Sequence, residues 1–123
     1  KLKFLIFILA HQIIIYMLIY KTTCFFGTKI NKNNIISCVT KTDWNSFINV
    51  YIKDRIPSFT ISKHIGYWNG EKELTYSLSV YHSKNDNNVI KNLKSKSKKY
   101  IDIFDQDEII INTVKTENIY RIN

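Results

Sequence analysis

Residues 2–20 read LKFLIFILAHQIIIYMLIY, and nothing later in the chain resembles them. The stretch contains no Asp, Glu, Arg, Gly or Pro, and Lys3 sits near its edge. As a helix rising about 1.5 Å per residue it reaches about 28 Å, close to the hydrocarbon thickness of a bilayer. Each Leu, Ile or Phe favours insertion by about 0.3–0.6 kcal/mol, which outweighs a neutral His11 and Gln12. Tyr16 and Tyr20 stand toward the far end, where aromatic belts form, and Lys21 can snorkel to the headgroups. The expected architecture is a single N-terminal transmembrane helix over 2–20. A small α+β ectodomain with an antiparallel sheet follows over 21–123. A cleavable signal peptide is the rival reading, but no small-x-small site follows and the apolar run resumes at Ile13.

His11 and Gln12 interrupt the run near its middle. Two adjacent polar residues cover a wide arc, which suits a contact with another membrane helix. The expected partners are the lipid bilayer and other membrane proteins of a multi-subunit complex. Lysines flank both ends of the run, so the positive-inside rule gives no orientation.

The remaining hundred or so residues suit one small domain. The net charge is +8 and the pI about 9.5. Ile, Lys and Asn abound, while Ala occurs once and Gly and Pro total four. The favoured residues have AT-rich codons, so the lysine surplus follows composition as readily as an anionic partner. Lys91, Lys94, Lys96, Lys98 and Lys99 form a basic patch that is either a lipid-facing surface or a solvated helix face. The aromatics do not interleave with these lysines, which argues against nucleic acid.

Both cysteines, Cys24 and Cys38, follow the apolar run. A disulfide between them would close a loop of about 15 residues and stabilise by about 3 kcal/mol. Free thiols are the alternative, and the redox compartment decides. No C-x-x-C is present and the histidines lack ligand spacing, so no metal site is expected.

From Thr42 to Arg55, residues Trp44, Phe47, Ile48, Tyr51 and Ile52 make one apolar stripe at helical spacing. Thr42 or Asp43 can cap this helix and Pro57 ends it. Phe59, Ile61, Lys63 and Ile65 alternate as in a strand. Asn69-Gly70 is a hairpin signal, because both turn positions take positive φ. Strands are therefore expected on either side, over 65–68 and 73–82. Trp68, Asn69 and Gly70 mark a candidate contact surface, with a core role for Trp68 as the alternative. The segment 89–99 fits a short helix, 105–107 an acidic turn, and 109–114 and 118–122 two further strands.

No catalytic constellation is visible. The chain has no phosphate-binding glycine loop, no G-x-S-x-G and no H-E-x-x-H. The acidic residues at 102–108 lack the register of a calcium loop. The expectation is a protein that is not an enzyme and needs no cofactor and no small-molecule substrate. A deep pocket lined by His64, His82 or the acidic turn would favour an enzyme instead.

Three segments carry a family resemblance: D-W-N-S-F-I-N-V-Y-I-K-D-R-I-P-S-F at 43–59, G-Y-W-N-G at 66–70, and E-I-I-I-N-T-V with I-Y-R-I-N at 108–123. With the apolar start and the cysteine pair, they resemble the fourth per os infectivity factor of baculoviruses and related insect large-DNA viruses. That resemblance implies a single-pass protein of the virion envelope, a subunit of a membrane entry complex for oral infection. It carries over no catalytic residues. The alternative is an accessory single-span subunit of an organellar membrane complex, in which the cysteines stay free.

Overall fold

The computed structural model describes residues 19–84 and 86–116. Strand β1 spans Ile19–Gly27, and a small hairpin of β2 (Lys29–Lys32) and β3 (Ile35–Cys38) follows. Helix α1 (Lys41–Phe47) runs on into a π-helical turn, Ile48–Ile52. Strands β4 (Thr60–Trp68) and β5 (Glu71–Ser83) form the long hairpin. Helix α2 (Asn87–Phe104) and strand β6 (Ile110–Lys115) complete the domain. The main sheet has the order β4-β5-β1-β6, and every neighbouring pair is antiparallel.

The transmembrane expectation is corrected here. Among the described residues no helix is long and apolar enough to cross a membrane. The longest helix, α2, carries Lys91, Lys94, Lys96, Lys98 and Lys99, and each charge in a membrane helix costs about 2.5–3.5 kcal/mol. Ile19 and Tyr20, the end of the expected span, are instead the first residues of β1. There Tyr20, Thr22, Cys24 and Phe26 alternate with Lys21, Thr23 and Phe25, the period of a half-buried strand. The expected single-pass fold and single-pass membrane location are therefore corrected to this: no described helix supplies a span, and residues 2–18 lie outside the described residues. His11 and Gln12 lie outside the described residues, as does the expected strand at 118–122. The α+β class and the antiparallel sheet agree with expectation.

Both helices lie on one face of the sheet. Period-two alternation sends Thr22, Cys24 and Phe26 of β1 and Tyr76, Leu78 and Val80 of β5 toward them, and all six are buried. Trp44 and Phe47 of α1, Ile52 of the π turn and Leu93 and Tyr100 of α2 meet this face. Trp44 stacks on Tyr76, with centroids 4.4 Å apart and planes 5° from parallel. Tyr100 packs edge-on against Phe26 at 4.8 Å and donates its hydroxyl to the Gly27 carbonyl at 2.6 Å.

Local chemistry places the elements. Thr40, not Thr42, caps α1: its hydroxyl accepts from the Asp43 amide and the Asp43 carboxylate accepts from the Thr40 amide, a capping box. Asn69 and Gly70, with φ of 51° and 79°, turn β4 into β5 so that Trp68 faces Glu71. Asn33 and Asn34, both at positive φ, do the same for β2 and β3. Asp105 ends α2 in the left-handed conformation.

One polar string sits on the helix side. His82 Nδ1 lies 2.8 Å from the Ser83 carbonyl, so in the neutral ring the proton is on Nδ1. Nε2 then accepts from the Thr22 hydroxyl at 2.6 Å, and Thr22 accepts from Thr113 at 2.7 Å. Thr22 is fully buried. Thr22→Val should therefore cost about 1–3 kcal/mol, because it strands His82 Nε2 without a donor. Urea denaturation of the two proteins checks this value.

Candidate functional site

The opposite face of the sheet has no covering layer among the described residues. Register puts Ser62, His64, Gly66 and Trp68 of β4 on this face, with Glu71, Glu73, Thr75, Ser77, Ser79 and Tyr81 of β5. β1 adds Lys21, Thr23, Phe25 and Gly27, and β6 adds Ile110, Asn112 and Val114. Trp68, Tyr81, Ile110 and Val114 are exposed there, Trp68 at 45%. Between them lie two polar pairs: Thr23 Oγ1 is 2.9 Å from Ser79 Oγ, and His64 Nε2 is 2.7 Å from Ser77 Oγ. The expected contact surface of Trp68, Asn69 and Gly70 is thus one end of a broad open face. The core tryptophan is Trp44, at 3% exposure.

At that end the face deepens into a cleft of about 430 Å³. Its walls come from three places: the β4–β5 turn, the start of β2, and the α2–β6 loop. Glu71, Glu73, Asp105, Asp107 and Glu108 line it beside Trp68, Phe25 and Thr75. Lys29 is the one lysine in the lining, and it pairs with Glu71. Half of the chain's ten acidic residues therefore gather here, in a molecule of net charge +8. Burial pushes the Glu73 carboxyl above its ordinary range, and the Lys29 backbone and ammonium work the other way.

Two glycines shape the cleft. A Cβ on Gly27 would collide with the Glu73 carboxylate, so glycine there lets that carboxylate lie over the strand. A Cβ on Gly66 would sit 2.7 Å from the Trp68 indole nitrogen and 3.2 Å from Thr75 Oγ1. Glycine at 66 thus seats the indole against the sheet beside Thr75. Gly66→Ala should lift the Trp68 ring, checked as a red shift of its fluorescence with little change in melting temperature.

The remaining sequence expectations divide. The acidic turn does line a cleft, as an enzyme reading required, but neither histidine does. His64 lies on the open face and His82 on the helix side. Among the described residues no group of three His, Cys, Asp or Glu can hold a metal. Of the five lysines of α2, four are exposed and Lys96 is half-buried. Lys91, Lys94 and Lys98 point outward, Lys98 pairs with Asp102 at 3.1 Å, and Lys99 lies 5.5 Å over the Tyr51 ring.

The expected Cys24–Cys38 disulfide is replaced by two free thiols. Cys24 faces the helices in the middle of β1, while Cys38 ends the exposed small hairpin. Burial raises the Cys24 thiol to about 11, against a smaller opposing effect of Ser97. Alkylation of the native protein should modify Cys38 rapidly and Cys24 only after denaturant is added. Intact mass before and after denaturation reads both steps.

Sequence reading missed the acidic cleft, because its carboxylates come from segments that only the fold brings together. The available signal was the crowding of acids at 71–73 and 105–108 in an otherwise basic chain. No protein-family model, no curated protein and no solved structure matches this chain. The fold and the open face define a half-covered α+β sheet domain with one bare, aromatic, hydroxyl-rich surface.

Proposed function

We propose that this domain is a non-catalytic subunit of a multi-protein assembly and docks through the open face of its sheet. One observation carries the reading: four apolar side chains, Trp68, Tyr81, Ile110 and Val114, stand exposed on a single uncovered sheet face. Tyr81 and Val114 flank Lys21 at one end of the face and Trp68 stands at the other, ten positions along β5, and tryptophan and tyrosine dominate interface energetics. The exposed His64 beside them is a polar group of the kind that hydrogen-bonds across such interfaces. The oral-infectivity complex implied by the resemblance is one assembly in which a subunit of this kind works. The described parts of the segments behind that resemblance fall on α1, the β4–β5 turn and β6, and the last two border the open face.

The test is native gel mobility in the cells that make the protein. The wild-type chain should run in a complex larger than itself. Trp68→Ala with Tyr81→Ala should release it at monomer mass with an unchanged melting temperature. The matched pair Val50→Ala with Ile103→Ala, away from the open face, should leave the complex intact. A wild-type chain that runs as a monomer would sink the proposal.

A further inference from the structure

We propose that the acidic cleft at the end of the open face receives an arginine side chain of the docked partner. The inference rests on the docking reading above and names the chemistry of its anchor point.

Charge is the first argument. The cleft lining has five carboxylates; Lys29 pairs with Glu71, and Lys32, outside the lining, pairs with Asp105 at 3.3 Å, which leaves a formal −3 in a chain of net charge +8. A local field opposed to that of the whole molecule selects a cation. The distribution of the carboxylates selects which cation. They do not converge on a point, and no three of them can hold a metal ion. A guanidinium spreads its charge over a planar fork of five donors and so satisfies carboxylates that stand apart.

The second argument is an orphan hydroxyl. Thr75 is 98% buried and lines the cleft, yet its Oγ1 has no hydrogen-bond partner among the described residues. Burying a hydroxyl without a partner costs about 1–3 kcal/mol, and an N–H that reaches this covered oxygen past the Trp68 ring removes that cost. The third argument is the wall beside it. Gly66 seats the Trp68 indole next to Thr75, and an indole face is the best surface for a stacked guanidinium. The desolvated Glu73 carboxylate is stabilised by the same cation.

The experiment titrates the full 123-residue chain with a Gly-Arg-Gly peptide blocked at both ends and with its citrulline counterpart. The readout is the pair of indole N–H signals, since Trp68 lies at the cleft and Trp44 in the core. The arginine peptide should move the Trp68 signal saturably and leave Trp44 in place. The citrulline peptide should bind roughly ten-fold more weakly or less, the scale of one charge-assisted hydrogen bond. Glu73→Gln and Glu108→Gln should each weaken the arginine peptide, as should Thr75→Val, all three with unaltered far-UV circular dichroism. Equal binding of both peptides, or none by either, would overturn the inference. So would calcium moving the Trp68 signal at lower concentration than the peptide. An assembly that falls apart with the Trp68 and Tyr81 variants while the arginine peptide does nothing removes the arginine and keeps the docking face. A peptide that binds to a chain with no native complex does the reverse.

Discussion

Tyr100→Ala is expected to unfold the domain or bring it close to unfolding. Tyr100 is fully buried and touches four other aromatic rings: Phe26 at 4.8 Å, Phe104 at 4.8 Å, Phe47 at 5.2 Å and Trp44 at 6.0 Å. It joins α2 to the sheet through packing and through the hydrogen bond to Gly27. Truncating a buried large aromatic costs about 3–5 kcal/mol, and a domain of this size holds about 5–15 kcal/mol in all. Tyr100→Phe isolates the hydroxyl and should cost about 1–2 kcal/mol. Circular dichroism of the alanine variant and urea denaturation of the phenylalanine variant check both values. The phenol also sets a pH dependence. Burial above all, then the nearby Glu73, Tyr76 and Asp43, raise its ionisation above the ordinary range. A group raised in the folded state stabilises below its unfolded value and loses that effect as pH rises. Stability should therefore fall above about pH 10, and less steeply in Tyr100→Phe. Cys24, raised from 9.0 to about 11, pulls in the same direction.

The two tryptophans should behave oppositely. Trp44 stacks on Tyr76 and packs against Phe26 and Phe47, and Trp44→Ala should cost about 3–5 kcal/mol. Trp68, half exposed on the open face, should cost about 0.5 kcal/mol or less when truncated. In a fluorescence melt of the wild type, Trp44 should redden strongly on unfolding and Trp68, half exposed against the sheet, only slightly. A large loss of stability in Trp68→Ala, or a small one in Trp44→Ala, would show that core and surface have been assigned to the wrong faces.

The same contrast explains what was legible from sequence. The β4–β5 hairpin was, because Asn69-Gly70 supplies two residues that tolerate positive φ between alternating strands. Helix α1 was, because its stripe of Trp44, Phe47 and Ile48 is local. Helix α2 was only half legible. Its buried line of Leu93, Ser97 and Tyr100 includes a serine, and five lysines surround it, so periodicity is weak. Strand β1 was lost because Ile19 and Tyr20 continue an apolar run, and run length outweighed the alternation that begins there. The Asn33-Asn34 turn carries the same signal as Asn69-Gly70 without the glycine, and the strands it joins have only four residues each. The candidate site was legible only at Trp68. Its acids are more than thirty positions apart in the chain and meet because β5, the start of β2 and the α2–β6 loop end at the same corner of the sheet.

The strand order β4-β5-β1-β6 has a further consequence for how this protein behaves when concentrated. Its sheet ends in two unlike margins, each with backbone donors and acceptors unpaired among the described residues. Two copies joined β4 to β4 close into a pair. Copies joined β4 to β6 leave a free margin at each end and go on adding, the geometry of a fibre. Little in the sequence blocks this: β4 has one lysine, Lys63, in nine residues, and β6 has only Lys115 at its last position. Molecules at +8 repel one another, and the reach of that repulsion shrinks to about 8 Å in physiological salt. Raising the ionic strength should therefore promote edge-to-edge association, and Lys63→Ser on the longer margin should promote it further, both read by light scattering across a salt titration.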